Sequence, residues 1–258
     1  MRMPIRMLLV APLLPSLSPP VSPTGSCQQP APAPAGEVLW HEAKALLPTI
    51  VVAPPDHDPA RPTTLVLGLH GYGGTAEEFA WIADVLAERG FLVALPESPY
   101  PMLVGGEVGY DWMLTRTDDE PLEVRAATLA MREHLPAVVR DLRQRHAIDR
   151  VYTLGFSQGA ALALLTAVHE PELFDGVVSF GIPLFDAGWF SSDTLELGHG
   201  LRVLLVHGEQ DERAPFAASQ DAHAALEAAG YDVTLVPFEG RHHIPEQPLR
   251  RAATWMGE

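Results

Sequence analysis

The sequence is poor in cysteine and in basic residues, and each shortage excludes a class of function. A single cysteine, Cys27, among 258 residues leaves no internal disulfide and no cysteine-based metal cluster. The 17 lysines and arginines face 33 acidic residues, so the formal net charge is −16. This balance argues against nucleic acid and anionic membrane surfaces as partners, because both bind cationic patches. Histidine and carboxylate clusters with ligand spacing and glycine-rich phosphate loops are also missing, so we expect no metal and no cofactor.

The first 36 residues differ in composition from the rest of the chain. Two arginines precede a leucine-rich run at residues 7–17, and small residues at 24–26 lead into Cys27. This order is typical of a secretory signal and resembles that of a bacterial lipoprotein, whose cysteine becomes lipidated. It predicts export, as a periplasmic or cell-envelope lipoprotein anchored at Cys27 or as a secreted protein. Thr24 replaces the usual leucine and prolines interrupt the run, so the alternative is a cytoplasmic protein with an untargeted leader. The run is too short and too broken by proline to span a membrane.

Residues 37–258 are expected to form one α/β domain after this leader and proline-rich linker. A hydrophobic content of 47% is enough for a large core. Strand patterns alternate with helix patterns, which predicts a mostly parallel central sheet with helices on both faces. The predicted strands are 64–69, 91–95, 150–154, 176–180, 202–206 and 232–236; the predicted helices are 75–89, 123–146, 215–229 and 245–256; and 97–120 is predicted as a long functional loop.

The pentad Gly155-Phe156-Ser157-Gln158-Gly159 is the most informative stretch of the sequence. An apolar, β-branched segment precedes it, and a run of strong helix formers follows. A G-x-S-x-G pentad between a strand and a helix predicts a nucleophile elbow, a strained turn that exposes one serine hydroxyl above a sheet. Side chains larger than glycine would collide with the neighbouring strand and helix at this turn. Ser157 is therefore the candidate nucleophile.

A serine hydroxyl needs a base within hydrogen-bond reach, and the sequence offers partners in the expected order. Asp211 follows the strand predicted to end at Val206. His242 and His243 follow the strand predicted to end at Val236. Glu209 and Glu212 are alternatives to Asp211 at the same strand end. His70 and His207 also end strands, where we expect them to be structural.

These segments together resemble the phospholipase/carboxylesterase family of α/β-hydrolases, which includes acyl-protein thioesterases. The resemblance rests on the pentad, the segments 70–74 and 240–245, and His207-Gly208 with Asp211. It implies an α/β-hydrolase fold, Ser157 as nucleophile, Asp211 as orienting residue and a histidine of the last loop as base. It also implies an oxyanion hole built from the backbone N–H groups of Tyr72 and Gln158.

The resemblance leaves two positions open. Family members often read Gly-Gly-His-x-Ile-Pro, which selects His242, with Arg241 in place of the second glycine; others read Gly-x-x-His, which selects His243. We favour His242 and keep His243 as the alternative base. Trp112 lies where family members often carry a tryptophan near the acyl pocket, although an aromatic residue that caps the core fits equally well.

The function expected from these patterns is hydrolysis of acyl esters, of the carboxylesterase, lysophospholipase or thioesterase type, through an acyl-enzyme. Two alternatives stay open. One is the same fold acting on a different bond or polymer, as a feruloyl or polyester esterase, a lactonase or a peptidase. The other is a non-catalytic scaffold that binds ligands in the same pocket.

Overall fold

The computed structural model describes residues 46–114, 120–183, 189–198 and 200–258. The predicted leader and Cys27 lie outside the described residues. The strands are β1 (Thr49–Val52), β2 (Thr63–Leu69), β3 (Leu92–Pro96), β4 (Tyr100–Val104), β5 (Glu107–Asp111), β6 (Ile148–Phe156), β7 (Gly176–Phe180), β8 (Arg202–Gly208) and β9 (Asp232–Phe238). The helices are α1 (Ala76–Phe79), α2 (Trp81–Ala87), α3 (Glu120–Leu129), α4 (Leu135–Arg145), α5 (Gln158–His169), α6 (Ser192–Leu197), α7 (Phe216–Ala228) and α8 (Glu246–Gly257).

Seven of these strands form one sheet in the order β1-β3-β2-β6-β7-β8-β9. Only β1 runs antiparallel to its neighbour, and the other pairs are parallel. The predicted mostly parallel sheet is therefore confirmed. Parallel strands end at the same edge, so the loops after β2, β6, β7, β8 and β9 meet there. These are the loops that carry the candidate residues.

Both faces of the sheet are buried. Along β8, Val203 and Leu205 belong to one apolar cluster, whereas Leu204 and Val206 belong to a second cluster on the other face. Helices α4, α5 and α7 pack in the first cluster, and α1, α2 and α8 pack in the second. Helix α5, which directly follows Ser157, is buried along almost its whole length.

Two sequence predictions of secondary structure need correction, and one strand was missed. The predicted loop 97–120 contains a β-hairpin, β4 paired with β5, whose turn is built on Gly105 and Gly106 with positive φ. The predicted helix 75–89 is divided at Ala80 into α1 and α2, and the Thr75 side chain caps its start by accepting a hydrogen bond from the Glu78 amide. The short edge strand β1 was not predicted.

The predicted helix 123–146 is interrupted near Pro136. A π-helical turn, Ala130–His134, separates α3 from α4, and the proline lies in the first turn of α4. Proline has no N–H to donate within a helix, so an irregular turn is expected before it. Within the described ranges, the helices are all too short or too polar to cross a membrane.

Candidate active site

Ser157 occupies the turn between β6 and α5. Its φ of 54° and ψ of −120° lie outside the regions that residues with a side chain favour, which costs about 1–3 kcal/mol. A Cβ on Gly155 would collide with the Gly159 carbonyl, and a Cβ on Gly159 would collide with the Leu69 and His70 carbonyls. The prediction that these two glycines are needed for the turn is confirmed. The Ser157 amide donates to the Phe180 carbonyl at 2.9 Å, which anchors the turn to the end of β7.

His242, in the loop after β9, approaches this serine. Its Nε2 lies 2.9 Å from Oγ of Ser157. The ring packs against Phe156 with a centroid separation of 4.7 Å and an interplanar angle of 36°. The residue beneath the ring is Gly181, where an added Cβ would lie 3.3 Å from Nδ1 of His242. Phe156 and Gly181 thus fix the ring position, and sequence reasoning assigned neither of them this role.

His243 points elsewhere. Its Nδ1 donates to the Arg241 carbonyl at 3.1 Å, and its ring meets Phe238 edge-on at 5.5 Å. Of the two candidate histidines, the structure brings only His242 to Ser157.

Asp211, in the turn after β8, is the partner of His242. Its Oδ2 accepts from Nδ1 of His242 at 2.6 Å, and its Oδ1 accepts from the amides of Arg213 and Ala214, both at 2.9 Å. Burial raises the pKa of this carboxyl, but the Ala214 amide, His242 and the Arg213 amide together outweigh burial and hold the pKa below its usual range. The group is therefore a carboxylate near neutral pH.

The alternative carboxylates lie on the surface. Glu209 and Glu212 are both exposed, and Glu212 lies 3.9 Å from a guanidinium nitrogen of Arg241 in a solvent-exposed pair. Neither residue contributes to the contact between Asp211 and His242.

His207, near the end of β8, is hydrogen-bonded to the turn that carries Asp211. Ser219 donates to its Nδ1 at 2.6 Å, and its Nε2 donates to the Ala214 carbonyl at 3.0 Å. Burial lowers its pKa more than the Ala214 carbonyl and Asp211 raise it, so the ring is neutral at pH 7. These contacts fit the structural role expected for His207.

The loop 70–74 after β2 lies beside the serine turn and carries Tyr72. In the described part of the chain, neither the Tyr72 amide nor the Gln158 amide donates to a protein acceptor. The Gln158 amide is also the first free N–H of α5, so the positive end of the helix dipole points to the same place.

Two buried groups behind this loop were missed by sequence reasoning. Glu97 accepts from the amides of Ala76 and Ser98, each at 3.1 Å, and its Oε1 lies 2.8 Å from Nε2 of His70. Asp111 accepts from the Gln158 side chain at 2.7 Å. A carboxylate directly after an apolar strand, as at Glu97, was the available signal.

Trp112 is fully buried, and its indole N–H donates to the His70 carbonyl at 3.0 Å. Its ring lies 5.0 Å from the His70 ring. This position is behind the loop 70–74, and a role for Trp112 in the acyl pocket stays a prediction. No cluster of three or more histidine, cysteine or acidic side chains suited to a metal ion occurs among the residues that the structure describes.

The fold is that of an α/β-hydrolase. The solved structure of esterase PE8 matches 83% of this chain and 99% of its own, with a TM-score of 0.67 and 26% sequence identity. A family model described as phospholipase/carboxylesterase matches residues 49–257. The chain therefore belongs to the phospholipase/carboxylesterase family, as the sequence patterns indicated.

Curated relatives agree with this assignment. Acyl-protein thioesterase 1 of Eremothecium gossypii is 24% identical over 166 residues, which cover 61% of this chain and 70% of the relative. NocK of Nocardia uniformis subsp. tsuyamanensis is 30% identical over 174 residues, which cover 66% of this chain and 46% of NocK. The chain thus spans about half the length of NocK. The family and its esterase and thioesterase members identify the chain as a serine hydrolase that acts on carboxylic acyl esters.

Proposed function

We propose that Ser157 is the nucleophile of this esterase, His242 its general base and acid, and Asp211 the residue that orients His242. The observation that carries the proposal is a continuous hydrogen-bonded chain: Oγ of Ser157 lies 2.9 Å from Nε2 of His242, and Nδ1 of His242 lies 2.6 Å from Oδ2 of Asp211. An imidazole whose Nδ1–H is held by a carboxylate presents an unprotonated Nε2 to the hydroxyl, which is the tautomer that a base requires.

The proposed reaction is acyl transfer through a covalent intermediate. Oγ of Ser157 attacks the carbonyl carbon while its proton moves to Nε2 of His242. The carbonyl oxygen becomes an oxyanion that accepts from the amides of Tyr72 and Gln158. The intermediate then expels the alcohol or thiol, which takes the proton from His242. Water repeats the sequence on the acyl-serine and releases the acid.

Asp211 is suited to this work by its surroundings. Its depressed pKa keeps it charged, and its two backbone hydrogen bonds leave Oδ2 aimed at the imidazole. The negative charge stabilises the imidazolium that forms when His242 takes the serine proton.

The substrates that we propose are esters or thioesters of short or medium apolar acyl chains, including lysophospholipids. The hairpin of β4 and β5 supports an apolar substrate, because Leu103, Val104 and Val108 are exposed on it. Val104 lies close to the loop 70–74, since a Cβ added to Gly73, beside Tyr72, would lie 3.0 Å from the Val104 side chain. p-Nitrophenyl esters of increasing chain length, compared with matched p-nitroanilides, test this. Faster turnover of the anilides would favour the peptidase alternative.

We also propose that the full chain is exported and carries a lipid on Cys27. Expression of the full chain in a bacterium with labelled palmitate, followed by fractionation, tests this against a Cys27→Ser variant. Unlabelled protein in the cytoplasmic fraction would favour the untargeted alternative.

The adjacent histidines give a matched test of the mechanism. The variant His242→Gln removes the proposed base, and we expect at least a thousandfold loss of kcat on p-nitrophenyl acetate. The variant His243→Gln changes an exposed ring whose Nδ1 donates to the Arg241 carbonyl, and it should retain kcat within about twofold. Loss of activity in His243→Gln alone would refute the assignment, and full activity in both variants would show that neither histidine is the base. A native protein that does not turn over the ester at all would favour a ligand-binding role.

A further inference from the structure

The end of strand β5 contacts the loop that carries the Tyr72 amide. The Gly73 amide donates to the Tyr110 carbonyl at 2.8 Å, and the Tyr110 amide donates to the Gly74 carbonyl at 3.0 Å. On the other side of Tyr72, the Trp112 indole donates to the His70 carbonyl at 3.0 Å. The loop is therefore held both before and after Tyr72 by Tyr110 and Trp112, the two neighbours of Asp111 at the end of β5.

The same strand end also holds Gln158. The side-chain N–H of Gln158 donates to Oδ1 of Asp111 at 2.7 Å, and its side-chain oxygen accepts from the Trp112 amide at 3.1 Å. Both side chains are buried, with 6% of Gln158 and 3% of Asp111 exposed. Asp111 is itself fixed in part by the Met113 amide, which donates to the same Oδ1 at 2.9 Å.

The two amides proposed as oxyanion donors come from different parts of the chain. Tyr72 follows β2, whereas Gln158 begins α5, so their spacing depends on what joins the two segments. Stabilisation of an oxyanion requires both donors to lie at hydrogen-bond distance from one point before the reaction starts. A connection that holds both segments from one strand therefore sets the geometry on which the rate depends.

We infer that Asp111 is a positioning residue for the proposed oxyanion hole. It accepts a hydrogen bond from the Gln158 side chain, and the strand end on which it lies is also hydrogen-bonded to the Tyr72 loop. It therefore fixes the distance between the Tyr72 amide and the Gln158 amide. The inference rests on the proposed function, because it presumes that these amides bind an oxyanion. It differs from a purely structural role, in which Asp111 would stabilise only the hairpin.

Three variants separate the two roles. Asp111→Ala removes the acceptor of Gln158, and Asp111→Asn keeps an oxygen acceptor for both Gln158 and Met113. Gln158→Met removes both side-chain hydrogen bonds from the opposite partner at nearly constant volume and keeps the backbone N–H. The matched control is Asp175→Ala, because Asp175 also accepts a backbone amide, that of Val151 at 2.8 Å, at the opposite edge of the sheet.

The measurements are kcat and KM for p-nitrophenyl acetate per active serine, counted by titration with a fluorophosphonate. A trifluoromethyl ketone that forms a hemiketal oxyanion reports on the donors directly, through its inhibition constant. Counting active serines removes the effect of misfolded protein, so a merely structural role would leave kcat per site and the inhibition constant unchanged.

We expect Asp111→Ala and Gln158→Met each to lower kcat per active serine about ten- to hundredfold, with KM within about threefold. The loss is smaller than for a deleted donor, because the amide is displaced and not removed. The inhibition constant of the ketone should rise by the same factor. Asp111→Asn and Asp175→Ala should stay within about threefold of the native enzyme. The double variant Asp111→Ala/Gln158→Met should lose no more kcat than the more impaired of the two single variants, because both changes break the same connection.

Native kcat per site in Asp111→Ala, an unchanged ketone affinity, or an equal loss in Asp111→Asn would each overturn the inference. The variant Ser157→Ala distinguishes this failure from failure of the proposed function. An inactive Ser157→Ala with a native-like Asp111→Ala overturns only the positioning role, whereas an active Ser157→Ala overturns the proposed function itself.

Discussion

Replacement of Asp211 by asparagine tests the proposed mechanism, because it should move the ring proton of His242 from Nδ1 to Nε2. Oδ1 of Asp211 accepts from the amides of Arg213 and Ala214. An asparagine must therefore keep its oxygen on these amides and turn its NH2 toward Nδ1 of His242. Nδ1 then becomes an acceptor, and the ring proton moves to Nε2, which faces Oγ of Ser157. In this tautomer the histidine cannot act as a base.

The magnitude follows from the cost of the opposite orientation. Turning the asparagine would leave the Ala214 amide, which is part-buried, and the Arg213 amide, which is exposed, facing its NH2. A buried unsatisfied donor costs about 1–3 kcal/mol, and an exposed donor costs less because water can replace its partner. At a cost of about 2 kcal/mol, about 3% of molecules would hold the productive tautomer. We therefore expect Asp211→Asn to lose about thirtyfold in kcat, and up to about ten-thousandfold.

The assay is turnover of p-nitrophenyl acetate, normalised to folded protein by circular dichroism. The matched control is Glu212→Gln, which changes the neighbouring exposed carboxylate and should stay within about twofold of the native kcat. Retention of more than a tenth of the native kcat by Asp211→Asn would refute the reasoning, because either the tautomer or the role of His242 would then be wrong.

Two further predictions concern stability. The backbone strain at Ser157, with φ of 54°, predicts that the inactive variant Ser157→Gly unfolds in urea with a free energy about 1 kcal/mol higher than that of Ser157→Ala; equal or reversed values would contradict the strain. Burial lowers the pKa of His207 from 6.5, so the unfolded chain binds more protons at mildly acid pH, and the free energy of unfolding should fall as pH drops below about 6.5. The variant His207→Gln should show a smaller fall between pH 7.5 and 5.5 in urea titrations, and an unchanged fall would contradict the neutral buried ring. His134, His146 and His169, whose pKa values are lowered mainly by burial, contribute a fall of the same sign in both proteins.

The alternation of elements could be predicted because each buried strand is a short apolar run bounded by turn residues. The prediction failed where burial is partial. Strand β1 lies at the sheet edge with no fully buried residue, so its four residues carry no clear period. The β4–β5 hairpin is only partly buried, so its residues show no clear alternation of apolar and polar side chains, and the two glycines of its turn were interpreted as part of a loop.

The loops of the candidate site could be predicted because the pentad and the order of its partners are local signals. The sequence favoured His242 over His243 but left both open, because the choice depends on ring packing against Phe156, at the end of β6, and Gly181, just after β7. The connection from Asp111 to Gln158 joins residues 47 positions apart and involves no motif. Such contacts depend on the tertiary fold and leave no periodic trace in the sequence.

Labelling with a fluorophosphonate, followed by mass spectrometry of the peptides, tests the central claim most directly. An activated hydroxyl held on the turn between β6 and α5 predicts a single adduct on Ser157, absent from Ser157→Ala and slowed in His242→Gln. An adduct on another serine, or a folded protein that takes up no label, would contradict the account.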